Sequence, residues 1–160
     1  MKKILWLLPV ICTVLLLGAK DSATQVLTEA RRDEIKKAVL ERHNQFLHYA
    51  QQLDADKMYD LILENGEGTI IQNSQLLTRQ EALDAAKNAF AHLKKVEYKF
   101  DQQYIKVVSP QIAIFTGKGQ SIAISDTDNT YTMDFAVTSV FVLQDKEWKI
   151  IHGHYSSPSM

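Results

Sequence analysis

Residues 138–157, TSVFVLQDKEWKIIHGHYSS, decide the fold. On either side of Asp145-Lys146 large apolar residues recur at every second position, the period of a strand with one buried face. A polar pair between two such runs is a hairpin turn. Pairing the two arms symmetrically sets Leu143 opposite Trp148, Phe141 opposite Ile150, Ser139 opposite His152 and Val137 opposite His154. The hairpin therefore carries an apolar end near its turn and a polar end holding two histidines.

Two further strands precede this hairpin, separated by turn signals at Ser109-Pro110 and at Asp126 to Asn129, so that from Val96 onward the chain is a four-stranded meander. Symmetrical pairing about those turns places Gln120 opposite Phe135, Lys118 opposite Val137 and Thr116 opposite Ser139. It likewise places Ile105 opposite Ile114, Gln103 opposite Thr116 and Asp101 opposite Lys118. One face then grades from Ile105, Ile114, Phe141 and Ile150 into a polar cluster of Asp101, Gln103, Thr116, Lys118, Ser139, His152 and His154. Apolar core at one end and converging polar groups at the other describe a half-open pocket. Those seven residues, with Phe135 on the sheet and Tyr49 from the helix side, are the candidate ligand-binding residues. The opposite face would carry Phe115, Val140, Ile151 and Tyr155 among Gly117, Gly119, Ala136 and Gly153, a surface suited to a homodimer contact.

Before the meander, Ile35, Val39, Phe46, Tyr49 and Leu53 recur at helical spacing, which predicts an amphipathic helix from about Ala30 to Gln52. Asp54 can cap a shorter helix over Ala55 to Leu63, and a short strand is expected over Gly68 to Asn73. Thr78 and Glu81 form a capping box ahead of a stripe of Ala82, Ala86, Ala89, Phe90 and Leu93. Helices followed by an antiparallel sheet make the class α+β, with the helices on one face of a curved sheet.

At the N-terminus Lys2 and Lys3 precede an apolar run from Ile4 to Gly18, with small residues Gly18 and Ala19 at its end. This is the layout of a secretory signal peptide over 1–19, too short for a stable membrane span of roughly 20 residues. A polar leader follows over 20–32, and the domain occupies 33–160. Export to the periplasm or outside the cell is expected. The single cysteine, Cys12, lies in the signal, so the exported protein holds neither disulfide nor thiolate. Removing Lys2 and Lys3 takes the formal charge from −1 to −3, and no basic stripe appears, which excludes nucleic acid as a partner class. His152 and His154 lack the further ligands a metal needs, since Asp101 is the one carboxylate on their face and Asp134 points away. No cofactor-binding motif is present. Ser139, Ser156 and Ser157 lack the Gly-x-Ser-x-Gly setting of an acyl-transfer nucleophile.

The long first helix, "LTRQEALDAA" at the start of the later helix and "TSVFVLQDKEWKIIHGHYSS" at the end resemble the nuclear transport factor two-like superfamily. The likeness is to its SnoaL-like branch and to the calcium/calmodulin-dependent kinase association domain. This resemblance implies a cone of curved sheet closed by the N-terminal helices, a pocket inside it and a dimer. Many relatives carry an arginine after the strand threonine, where this chain has Ser139 after Thr138. The fold hosts both catalysts and binding proteins. The favoured function is an exported, non-catalytic pocket protein that binds a small, partly apolar molecule and dimerises through the outer sheet face. The alternative is a small isomerase, dehydratase or cyclase with Asp101 or His152 as general base.

Overall fold

The computed structural model describes residues 27–64 and 68–157; the expected signal peptide and residues 20–26 of the leader lie outside them. Helix α1 runs Glu29–Gln51, capped by Thr28, whose side chain accepts the Arg31 N–H. Its buried face is Ile35, Val39, His43 and Ala50. A five-residue helix, α2 (Ala55–Tyr59), starts at Asp54, and α3 (Arg79–Phe90) starts at Thr78 with the full reciprocal capping box to Glu81. Between them lie two short strands, β1 (Thr69–Gln72) and β2 (Gln75–Thr78), the second of which the periodicity did not reveal. Four residues carry too few alternations to register as a strand beside a capping signal.

The meander forms as expected: β3 (Leu93–Ser109), β4 (Ile112–Ser125), β5 (Thr130–Gln144) and β6 (Glu147–Ser156). The six strands lie in the order β2-β1-β6-β5-β4-β3. Neighbours are antiparallel except β1, which runs parallel to β6 and adds its hairpin to the sheet edge. The helices cover one face, over a core whose most completely buried side chains are Phe115, Phe141, Ile62 and Val39. At roughly 1.5–3 kcal/mol for each such side chain, this core supplies the stability that a chain without disulfides requires.

The register departs from symmetry at three places, and each departure moves side chains to the other face. The β5–β6 hairpin begins as expected, with Leu143 opposite Trp148 and Phe141 opposite Ile150. A bulge then intervenes, so that Val140 meets His152 and Ser139 meets Gly153. In the β4–β5 pair, Gln120 meets Asp134, Lys118 meets Ala136 and Thr116 meets Thr138, one residue away from the symmetrical pairing. In the β3–β4 pair, Ile105 meets Phe115 and Gln103 meets Gly117, with a shift between Phe100 and Gln102 that leaves Asp101 unpaired. Because side chains alternate along a strand, a one-residue slip inverts a whole face.

Two glycines show why β4 turns its odd-numbered side inward. A Cβ on Gly119 would collide with the Lys99 carbonyl oxygen, and one on Gly117 would lie 2.6 Å from the Phe100 ring. The strand is bare there because β3 bends across it at the bulge and drops Phe100 onto it.

Candidate functional site

The concave side encloses a cavity of about 720 Å³ between the sheet and all three helices. Phe46, Leu47 and Ala50 of α1, Met58 and Tyr59 of α2, and Ala85, Ala86, Ala89 and Phe90 of α3 form its roof. The floor is the inward side of the sheet, including Val96, Tyr98, Ser121, Ala123, Met133, Val137, Ser139, Gly153 and Tyr155. Strand alternation explains this set directly. Tyr98, Ser121 and Met133 share one transverse row, Val137 and Tyr155 another, and Ser139 and Gly153 a third.

Among the described residues, the cavity lining contains no aspartate, glutamate, lysine or arginine. Its titratable members are Tyr59, Tyr98, Tyr155 and His154. Burial pushes the Tyr59 hydroxyl up to about 12, and the nearby Tyr98 phenol adds to the shift. Burial likewise pushes Tyr98 up to about 12, with a contribution from Tyr155. Tyr155 is raised by burial, partly offset by a hydrogen bond with Ser121. All three phenols therefore stay protonated at ordinary pH and offer O–H donors. The rings are braced from behind. Phe135 stacks on Tyr155 at 5.6 Å and meets Tyr98 edge-on at 5.9 Å. Arg79 holds the Tyr59 carbonyl through its Nε at 3.0 Å and Asp60 through Nη2 at 3.2 Å. The backbone of Leu61 and Leu63 is bonded to Ile150 of β6. The α2 end of the cavity is thus tied to the sheet.

The structure separates the residues that the sequence grouped. Ser139 is buried in the cavity wall, and Phe135 is buried behind it rather than in the lining. Asp101, Gln103, Thr116 and Lys118 are exposed and do not line the cavity. His152 is half-buried on the helix-free face, where its Nδ1 and the Thr69 hydroxyl lie 2.9 Å apart. His154 touches the cavity margin but is exposed, in register with Thr138 and Ile71 on the outer side. Tyr49 is half-buried and packed on the core, its hydroxyl accepting from Gln45 Nε2 at 3.1 Å; it does not line the cavity. The expected juxtapositions of Asp101 with Lys118 and of His152 with Ser139 do not occur. Conversely, Phe115, Gly117, Gly119, Gly153 and Tyr155, expected outside, face the helices.

Tyr98, Ser121 and Tyr155 were not among the candidate ligand-binding residues read from the sequence. One signal was available. On β4 the even positions hold Lys118 and Gln120 while the odd ones hold Ala113, Phe115, Ser121 and Ala123, and a lysine without a partner does not belong inside. No group of three or more His, Cys, Asp or Glu that could hold a metal occurs among the described residues. No helix among them is long and apolar enough to cross a membrane.

The SnoaL-like domain family matches residues 39–160, and the chain belongs to that family. No curated protein matches the sequence. Among solved structures, it is similar to a candidate dehydratase of the nuclear transport factor 2-like family from Streptomyces avermitilis. Identity is 16%, coverage is 81% of this chain and 99% of that one, and the TM-score is 0.71. A candidate scytalone dehydratase from Novosphingobium aromaticivorans DSM 12444 is 10% identical, covering 82% and 89% with a TM-score of 0.74. A candidate calcium/calmodulin-dependent protein kinase II association domain from Xanthomonas campestris is 14% identical, covering 75% and 85% with a TM-score of 0.66. At such identities the likeness is one of fold: a helix-covered, curved and unclosed sheet.

Proposed function

We propose that this chain is an exported binding protein that takes a small, partly apolar molecule into the concave cavity and dimerises through the convex face of its sheet. The observation that carries the binding assignment is a cavity of about 720 Å³ whose lining among the described residues is apolar, hydroxyl and amide with His154 at its margin, without a carboxylate, lysine or arginine. Such a site can hold a molecule by burial and a few hydrogen bonds. Proton-transfer catalysis needs a base within reach of the substrate, and neither Asp101 nor His152 lines this space. The test is a fluorescence titration with N-phenyl-1-naphthylamine, an uncharged dye that brightens in apolar sites. Saturable binding, with a Kd of about 10 μM or tighter, is expected; no saturable signal refutes the assignment.

A second reading is favoured by one observation: two of the similar structures are named as candidate dehydratases. In that case His154 at the margin is the one imidazole in the lining able to move a proton. A His154→Gln variant that abolishes turnover while leaving dye binding intact would support it.

The dimer assignment no longer rests on small outer residues. Half-buried Ile114, Val140 and Val142 and the exposed Tyr104 stand on the convex face instead. Light scattering is expected to give twice the chain mass, and a concentration-independent monomer contradicts it. Export rests on the order of Lys2-Lys3, apolar run and Gly18-Ala19. Mass spectrometry of the exported fraction should find a new N-terminus after Ala19, whereas an intact Met1 there opposes it.

A further inference from the structure

We propose that His152 and His154 are two ligands of a zinc ion held on the convex face, and that the same pair from a second copy of the chain completes its coordination, so that the metal bridges the dimer. This inference rests on the assignment of the convex face as the dimer surface.

The sequence His152-Gly153-His154 sets two imidazoles at alternate positions of β6. Residues so spaced on a strand lie about 6.7 Å apart and point to one side. Register fixes which side that is. Gly153 and its β5 partner Ser139 line the cavity, so His152 and His154, paired with Val140 and Thr138, stand on the opposite, convex face. Both rings are accessible there, His152 half-buried and His154 exposed. Thr69 orients the first of them. With its Nδ1–H donating to the Thr69 hydroxyl oxygen, 2.9 Å away, the neutral ring of His152 keeps its Nε2 lone pair for a metal. The flanking strands β1 and β5 contain no lysine or arginine, so neither sets a positive charge against a cation bound to the pair.

Neutral ring nitrogens suit zinc, whereas magnesium and calcium take oxygen ligands. Zinc seats four ligands in a tetrahedron, with Zn–N bonds of about 2.0–2.1 Å. One chain supplies two of the four, since among the described residues no third His, Cys, Asp or Glu joins them. The other two come from symmetry. β6 is the third of six strands across the sheet, near the middle of the face. A two-fold contact through that face brings the same patch of each copy together, and with it a second pair of histidines.

The test is calorimetric titration of Zn2+ into the untagged full chain stripped with a chelator, with light scattering on the same samples. Binding is expected to saturate at one zinc per two chains. With free zinc at about one hundred times its Kd, the dissociation constant of the dimer should fall about one hundredfold. Mg2+ should produce neither effect. His154→Ala, at the exposed ring, should lose both, as should His152→Ala/His154→Ala. Thr69→Val should weaken zinc about tenfold at the same stoichiometry, and unchanged affinity there contradicts the orienting role of Thr69. No saturable zinc binding, one zinc per chain, or zinc binding that survives His154→Ala overturns this inference, while a dimer that persists in chelator leaves the convex-face assignment standing. A monomer in chelator and in zinc alike overturns both.

Discussion

His43 offers the sharpest test of the packing described here, because its ring sits where an ionisable group is costly. It is 2% exposed, stacked on Phe115 with ring centroids 3.6 Å apart, and neither ring nitrogen has a partner among the described residues. Desolvation by burial lowers its pKa from 6.5 to about 4. The unfolded chain therefore takes up a proton below pH 6.5 that the folded chain refuses until about pH 4. Stability falls across that window and is level below it. The fall from 6.5 to about 4 corresponds to about 3 kcal/mol in full, of which about 2 kcal/mol is lost between pH 7 and pH 4.5. Replacing His43 with Leu removes the titration. It also removes two unsatisfied polar atoms, each costing about 1–3 kcal/mol, against the loss of an aromatic contact of about 1 kcal/mol. Urea unfolding at the two pH values should show His43→Leu more stable than the parent by about 1 kcal/mol at pH 7. The gap should widen by about 2 kcal/mol at pH 4.5. A variant less stable than the parent at pH 7, with the same loss on acidification, would refute the reasoning.

Two further substitutions probe the backbone features that place the site. Gly119→Ala puts a methyl into the Lys99 carbonyl and the Phe100 Cα, neither of which can yield without moving β3, so a loss of about 3 kcal/mol in urea unfolding is expected. Asp145 and Lys146 both have positive φ, 49° and 69°, the geometry of a type I′ turn formed here without glycine. Relieving one left-handed residue by Lys146→Gly should raise the unfolding midpoint, by about 1 kcal/mol in stability, and an unchanged midpoint would contradict that turn geometry.

The features legible in the sequence were those set by local chemistry. The α1 stripe, the Thr78–Glu81 capping box and the turn at Asp145-Lys146 are each fixed by residues within a few positions of one another. Leu143 and Trp148, next to that turn, paired as expected. In the β5–β6 hairpin, register failed with distance from the turn. The chain has an extra residue, Ile151, between the Phe141–Ile150 and Val140–His152 pairs, and nothing in "KIIHGH" marks it. At the β4–β5 loop, Ser125 is drawn into the turn. Its N–H bonds to the Asn129 carbonyl, its hydroxyl accepts the Asn129 N–H, and Asp128 adopts φ 63°. That geometry shifts the pairing by one and carried Thr116 and Lys118 from the expected pocket wall to the outside. Of the apolar residues expected on the pocket face, Phe141 and Ile150 lie in the core, whereas Ile114 pairs with Val140 on the convex side. The polar part of the cavity wall was not legible, because Tyr98 and Tyr155 read as ordinary strand residues until the bulges on β3 and β6 are known.

The measurement that bears most directly on the binding site is an amide NMR titration of the isotopically labelled chain with N-phenyl-1-naphthylamine. The cavity described here predicts that the largest shift changes fall at Tyr98, Ser121, Ala123, Val137 and Gly153, with Gln103, Thr116, Lys118 and His152 unmoved. Changes concentrated on those four, with the cavity wall silent, would place the ligand on the convex face and contradict the account.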